Sequence, residues 1–501
     1  MNPKELNQCH QKKKVIFHNY INDIKKNAKW NLNTIINPTL VKNSYASSFP
    51  KNYFSNKIKN KNITVLFINN IIKFYFKNIY FLFSYFIAFI LYKLHFKKQR
   101  KYNLETIIDV FGLVDQTNQN DKFSENYLTG LYDVFEKFNK QFTILLRPYP
   151  VEKNPFKLKQ FFKIINKDKR DFVFEYEFLR LFDFLRLLVM ILKYPFQVLS
   201  LNQNVKSNID KIFNVSLIED IKYFNFTSLT RYILGENLSK IDSIKKIYSW
   251  SEFQVIERSF NHAIRKNCDH IELIGLQFYP NFETYFNTAD DVDYDMLSFP
   301  HKMLVNGKYY IMDRGKIKYE IGVSLRYKDI FNFKGIEKEK NILLLGSYIE
   351  SDTKYMLDSV KKFDHVIFKN HPAVNIKRLG KLPENISVSN ENIYELFKNT
   401  KLVIGTASTA SVESVCCGIS VIIMASQENL TANPLLEKGQ GNIWDIAFNV
   451  NELDKILQKL IDYRVNNKAK IIEIADWYKD NLFVEPTEKN IINVFDLEKE
   501  K

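Results

Sequence analysis

Cysteine is nearly absent from these 501 residues: Cys9, Cys268, Cys416 and Cys417 are the only four. Two are adjacent and none forms a Cys-x-x-Cys pair, which excludes a disulfide scaffold, speaks against a cysteine-based zinc site and fits a reducing compartment. Glycine (14) and proline (13) are also scarce, too few for a collagenous or linker-rich chain. No glycine-rich loop ends in a Walker lysine and no Gly-x-Gly-x-x-Gly follows a strand, so an ATPase or a dinucleotide enzyme is disfavoured. The start, Met1 to Lys14, is polar and lacks the apolar run of a signal peptide. Global disorder is excluded in turn by 46% hydrophobic and 15% aromatic residues.

Acidic residues are missing from one region only. Residues 1–100 hold 18 Lys+Arg against Glu5 and Asp23, a net of +16, which is the whole net charge of the chain. The remaining 401 residues are electrically balanced, so a nucleic-acid binder, which would spread its basic residues over the folded body, is not expected. The same region carries the most apolar stretch, residues 63–92. Its longest uncharged part, Asn78 to Tyr92, would make ~22 Å of helix against a hydrocarbon core of ~30 Å. Three readings stay open: a helix lying in the headgroups of an anionic leaflet, a buried core helix with a basic flank, and a true span.

Beyond residue 101 the expected organisation is a first α/β domain over 101–334, a second over 335–480, and a tail, 481–501, returning to the first. In the first domain, Phe142–Leu146, His270–Leu276 and Met303–Val305 are short apolar runs, and the helical stretch 177–194 is apolar nearly all round, as in a helix buried between layers. In the second, Asn341 to Tyr348, His365 to Lys369, Ile386 to Val388, Leu402 to Gly405 and Val421 to Ala425 read as strands. Helices over about 352–362, 393–398, 409–417 and 451–465 alternate with them. Fully apolar strands separated by helices predict a doubly wound parallel sheet, whose ligands bind outside the carboxyl ends of the strands.

Those ends carry the candidate chemistry. His371 follows a strand directly, before Pro372, with Lys369 nearby; it is either a structural hydrogen-bonding group or a donor to a phosphate. Thr406, Ser408 and Thr409 lie between a strand and a helix, where hydroxyls and unpaired N–H groups can seat a phosphate or simply cap the helix. Glu413 sits at the wrong spacing for a capping box, and is either a ribose ligand or a solvated surface acid. The acids Asp290, Asp291, Asp293 and Asp295 form overlapping Asp-x-Asp patterns; a hydrated loop is the expected reading, and no metal or cofactor is expected.

Lys-Asn-His-Pro-Ala-Val-Asn (369–375), the Pro-Glu-Asn-Ile element at 383–386 and the run from Leu402 to Ile423 resemble the donor half of bacterial GT-B-fold glycosyltransferases of capsule and surface-polysaccharide synthesis, sialyl- and Kdo-type transferases among them. The resemblance covers about 110 residues, and Asn370 stands where proline is usual. It implies two Rossmann-like domains facing a cleft and a nucleotide-sugar donor, a CMP-sugar above others. His371 would contact the donor phosphate or nucleotide, Ser408 and Thr409 the phosphate, and Glu413 the ribose. A weaker likeness, Trp250 to Gln254 with 271–280 and 299–302, points to the first domain of surface-carbohydrate biosynthesis proteins. It makes Glu252 the candidate base toward an acceptor hydroxyl, or a helix N-terminal acid, and Gln277 a cleft residue. The expected enzyme is metal-independent and inverting, acts on a glycan or lipid-linked glycan, and is peripheral on the cytoplasmic face of a membrane. Its rivals are a glycerophosphotransferase using a CDP-glycerol-type donor and a non-catalytic sugar-binding scaffold.

Overall fold

The structure is a computed structural model that describes residues 3–27, 31–41, 47–55, 63–96, 104–113, 123, 125, 127–149, 154–252, 254–278, 289–311, 315–372, 374–406, 408–428 and 430–497. Two parallel sheets organise it. The first contains β1 (Thr106–Leu113), β2 (Thr143–Tyr149), β3 (Phe172–Phe174), β4 (Lys246–Ser251), β5 (Glu272–Gln277), β6 (Lys302–Val305) and β7 (Lys318–Ile321), in the order β3-β2-β1-β4-β5-β6-β7. The second contains β8 (Asn341–Leu345), β9 (Val366–Lys369), β10 (Ile386–Val388), β11 (Thr400–Gly405), β12 (Ser420–Met424) and β13 (Trp444–Ala447), in the order β10-β9-β8-β11-β12-β13. Both are doubly wound α/β domains, as the sequence implies. In both, the order reverses beside the first strand, placing the switch point between β1 and β4 and between β8 and β11.

The strands of the second sheet are apolar because both faces are covered: β8 and β12 bury nearly every side chain, with Leu343, Ile404 and Ile422 fully enclosed. The first sheet tolerates a charge at its centre. Asp109, in the middle of β1, is buried against the Arg231 guanidinium of the Phe226–Leu238 helix and accepts from Ser249 Oγ at 2.6 Å. Arg231 also lies 3.8 Å from the Phe260 ring centroid.

The basic amino-terminal region is packed rather than extended. Phe17, Ile35, Phe49 and Phe74 share one core cluster with β1, β2 and the helices of the first domain. Asp220 holds three of its turns, accepting from Thr39 Oγ1 (2.6 Å), Ser47 Oγ (2.9 Å) and the Ser48 amide (2.7 Å). The Ile63–His95 helix runs across this domain, and among the described residues it is the one helix long and apolar enough to cross a membrane by length and composition. The helix expected over 177–194 is observed as Leu181–Leu199, and it differs from the expectation in burial. Its inner residues Phe184, Leu187 and Ile191 are buried, but Leu181, Phe182, Leu185 and Phe196 face solvent. The core needs one stripe of this helix, not its full circumference.

At the carboxyl terminus, the chain crosses back. Ser324 and Val484 exchange hydrogen bonds at 2.9 Å, and Phe495 on the Glu488–Phe495 helix packs on Phe135 and Tyr248 of the first domain. Gly307 accommodates the crossing, because a Cβ there would lie 2.5 Å from the Leu482 backbone.

The acidic cluster is absorbed into this framework. Asp290 caps the Asp291–Asp295 helix, Asp295 pairs with Lys316 at 2.6 Å, and Asp291 accepts from the Lys316 amide. Asp293 is buried between Lys25 and Arg258, 2.6 Å from each. Removing one member of a buried ion cluster strands the others, at a cost of about 3–5 kcal/mol. Asp293→Asn should therefore lower the urea midpoint of the first domain much more than Asp295→Asn, whose ion pair is solvated. Equal midpoints for the two variants would show that Asp293 does not tie the amino-terminal helices down.

Candidate functional site

All strands in each sheet run the same way, so the candidate residues of the second domain share one edge. They come from three tips rather than two neighbouring ones. β9 and β11 each pair with β8, not with each other, which sets the His371 and Thr406–Thr409 tips two strand spacings, about 10 Å, apart. Between them stands the β8 tip, Gly346 to Tyr348. Gly346 is required by the approach of two loops: its amide donates to the Lys369 carbonyl at 2.9 Å, and a Cβ would sit 2.9 Å from the His371 amide nitrogen. Tyr348 meets the His371 ring edge-on at 6.2 Å. Burial holds the His371 imidazole below its ordinary pKa, so near neutral pH it is an uncharged ring able to donate one hydrogen bond.

Lys369 is half-buried and donates to the Glu391 carbonyl at 2.5 Å, with its pKa lowered by burial. Thr406 is buried; Ser408 Oγ accepts from the Ala410 amide at 3.3 Å, while Thr409 makes no side-chain cap bond to the short Ala410–Cys416 helix. Glu413 has a partner that sequence did not reveal. The Tyr394 hydroxyl donates to its carboxylate, and burial raises its pKa.

In the first domain, Glu252 stands at the tip of β4, at the switch point. Its conformation is fixed from behind by Glu257 of the Val255–Asn267 helix, whose buried carboxylate accepts from the Glu252 amide at 2.8 and 2.9 Å and from Ser251 Oγ at 3.0 Å. Crowding by protein atoms pushes the half-exposed Glu252 carboxyl up to about 7, opposed by the positive charge of Arg326. Burial, and then the nearby Glu252 charge, pushes Glu257 up to about 8. Gln277 ends β5; its Oε1 accepts from the Asn306 amide at 2.9 Å. It lines a small open cleft with Tyr127, Phe278, Leu304, Val323 and Arg326.

Arg326 is the residue that sequence reading missed. It lies in the crossing segment after β7, solvent-accessible, with its guanidinium 4.9 Å from the Tyr127 ring centroid. Tyr127 in turn stacks on Phe278 at 4.9 Å, and the Tyr327 hydroxyl donates to the Phe278 carbonyl at 3.2 Å. Arg326 interacts electrostatically with Glu252 of the first domain and with Glu413 of the second. One cation on the segment joining the domains thus has an acid of each within electrostatic reach. Chemically, the site offers an anion-binding guanidinium, a neutral imidazole, several hydroxyls and a carboxyl group that titrates near neutrality.

No protein-family profile matches the sequence, and no curated protein matches it. Solved structures that resemble it include the calicheamicin glycosyltransferase CalG4 (9% identity over 78% of this chain and 95% of that one, TM-score 0.38). A UDP-GlcNAc 2-epimerase from Methanocaldococcus jannaschii in complex with UDP-GlcNAc and UDP resembles it at 10% identity over 78% and 99%, TM-score 0.45. The wall teichoic acid polymerase TagF does so at 12% over 87% and 96%, TM-score 0.36. None of these likenesses assigns a reaction to the chain.

The Glu252–Glu257 pair makes stability depend on pH. A buried carboxyl raised from 4.5 to about 8, as at Glu257, binds more protons folded than unfolded throughout that window. Its contribution is complete below pH ~4.5 and is lost as pH rises toward ~8, at a slope of up to about 1.4 kcal/mol per pH unit. Urea titrations from pH 5 to 8.5 should show the wild type losing stability, and Glu257→Gln should flatten the dependence. An unchanged slope in the variant would remove Glu257 as its source.

Proposed function

We propose that this chain is a glycosyltransferase that moves a sugar from a nucleotide donor, a CMP-sugar above others, to a surface or capsular glycan, free or lipid-linked. The observation that carries this reading is Arg326, on the segment that joins the two doubly wound domains, its guanidinium 4.9 Å from the Tyr127 ring centroid and its charge coupled to Glu252 of one domain and Glu413 of the other. Such edges bind nucleotides at their switch points, and a guanidinium there matches a phosphate by charge and by its fork of donors.

In the proposed reaction Glu252 removes the proton of the acceptor hydroxyl as that oxygen forms its bond to the anomeric carbon. The bond from that carbon to the phosphate oxygen breaks, and its electron pair leaves with the nucleotide. Direct displacement inverts the anomeric centre. Charge developing on the departing phosphate is met by Arg326, by a hydrogen bond from the neutral His371, by Lys369, and by the hydroxyls of Thr406, Ser408 and Thr409. Glu413, steadied by Tyr394, accepts from the ribose, and Gln277 lines the acceptor cavity. With protein groups supplying the positive charge, the reaction is expected to run without a metal. The apolar outer side of helix 63–95 brings the enzyme to the cytoplasmic face of a membrane, where lipid-linked acceptors are presented.

Thermal-shift measurements with CMP, CDP, UMP and UDP test the donor side. CMP should raise the melting temperature by several degrees, and His371→Ala or Arg326→Ala should abolish the shift. Glu252→Gln should keep it while lowering turnover of a CMP-sugar about 10²- to 10⁴-fold, the usual contribution of a general base. Turnover of CDP-glycerol but not of CMP-sugars would replace this reading with the glycerophosphotransferase. No shift with any nucleotide would favour a sugar-binding scaffold.

A further inference from the structure

Deepening the membrane part of that proposal, on which it rests, we infer that helix 63–95 does not meet the bilayer alone: the Leu181–Leu199 helix lies beside it, and the two form one flat apolar face that docks in the plane of an anionic leaflet. The two helices are locked side by side. Tyr75 Oη donates to the Leu192 carbonyl at 2.9 Å, Phe74 stacks on Tyr194 with ring centroids 5.5 Å apart, and Phe89 meets Phe184 at 5.2 Å. Low-numbered residues of one helix thus meet high-numbered residues of the other, so the pair is antiparallel.

Each helix buries one stripe in the first domain and turns the opposite stripe outward. On helix 63–95 the outward row is Ile68, Ile72, Phe76, Tyr80, Phe83 and Ile90, spaced at helical intervals over about 33 Å. On helix 181–199 it is Phe182, Leu185, Val189, Leu192 and Phe196. Phe76 and Phe83 are 77% and 64% exposed, Phe182 and Phe196 66% and 60%, so large side chains on both helices are solvated. Eleven large apolar side chains left exposed on two adjacent helices make the kind of patch that marks an interaction surface rather than an ordinary soluble face.

A transmembrane span does not fit, although the length would allow one. The inward stripe of helix 63–95 is tied to the domain: Asn70 Nδ2 donates to the Ile218 carbonyl at 3.0 Å, Tyr92 Oη to Glu177 at 2.7 Å, and Phe74 and Ala88 are fully buried. Inserting the helix would tear these contacts from the core, whereas lying in the interface uses the outward row and leaves them intact.

Charge selects a leaflet over a second copy of the chain. Helix 63–95 contains no acidic residue. The single acid of helix 181–199, Asp183, is buried, accepting from the Arg180 amide and paired with Arg186. Lys73, Lys93 and Lys193 are exposed on the two helices, and Lys157, Lys159 and Lys163 on the neighbouring segment 155–165, where Phe156 is also exposed. Two copies packed face to face would set lysines against lysines. Anionic headgroups neutralise them, while the aromatic row enters the acyl boundary.

Co-sedimentation of the full chain with vesicles decides the matter, using phosphatidylcholine alone and phosphatidylcholine with phosphatidylglycerol. The wild type should bind the anionic vesicles at least fivefold more tightly than the neutral ones, with the preference falling as salt rises. Leu185→Glu/Phe196→Glu, on helix 181–199 only, should weaken binding at least fivefold with an unchanged melting temperature, as should Phe76→Glu/Phe83→Glu. Loss only in the Phe76/Phe83 variant would overturn the two-helix face while keeping helix 63–95 as the membrane contact. Absence of vesicle binding would overturn both. A dimer in solution that either pair of substitutions dissociates would assign the face to a second copy instead.

Discussion

The Arg326 guanidinium, set against the Tyr127 ring at 4.9 Å and coupled by charge to one acid of each domain, is the constraint on which the proposed site depends. Arg326 belongs to neither sheet. It sits on the segment that leaves β7 and enters the second domain, beside the point where Ser324 and Val484 pair. Its position is set by the crossing segment itself and by the wall of Tyr127 and Phe278, whose carbonyl accepts from the guanidinium at 3.4 Å. A shift of one domain against the other would change the field at Glu252 and Glu413 together, because both acids respond to the same cation. Protein walls of low polarity strengthen this coupling relative to a surface ion pair.

The same arrangement explains how one carboxyl can be poised near neutrality without being inert. Glu252 is displaced upward by crowding and kept from rising further by Arg326, while Glu257 behind it takes up the larger displacement and anchors its amide. In the proposed reaction an anionic donor arriving at Arg326 draws off part of that cation's field. The opposing influence on Glu252 weakens, its proton affinity rises, and it becomes a stronger base when the donor is in place. Substrate binding and base strength are then coupled through one side chain.

The second domain was readable in sequence because its strands are covered on both faces. β9, β10, β11 and β12 fall within a residue or two of the apolar runs that announced them, and β8 ends three residues before its run does. β13 was not seen, since Trp444-Asp445-Ile446-Ala447 is short and half-exposed at the sheet edge. The first domain was harder for a physical reason. β1 carries Asp109, satisfied by Arg231 from a distant helix, and β4 carries Ser249 and Ser251, which donate to Asp109 and to Glu257 of the following helix, and such polar residues interrupt the apolar pattern that marks a strand. The tips bearing His371 and Ser408 were located correctly by chain, yet strand order, which puts β8 between them, is a property of topology that a linear reading does not carry. Arg326 had one faint signal: in a chain with twelve arginines against sixty lysines, an arginine marks a place where lysine does not serve.

The apolar helices show where periodicity misleads in the other direction. A stretch hydrophobic nearly all round is normally read as buried all round, as residues 177–194 are, while residues 63–92, interrupted by Asn69, Asn70, Lys73, Lys77 and Asn78, leave core and membrane readings open. Their shared core satisfies one stripe of each, through Phe74, Tyr194 and Phe184, and leaves the rest uncovered. Folding alone gives no reason for Phe76 or Phe196 to be aromatic, because solvent-facing positions on well-packed helices gain nothing from large apolar side chains. In the proposed docking these side chains enter a second apolar environment, the acyl boundary of a leaflet. Of the basic first hundred residues, Lys73 and Lys93 are exposed on helix 63–95 itself, where the proposed docking would set them among anionic headgroups.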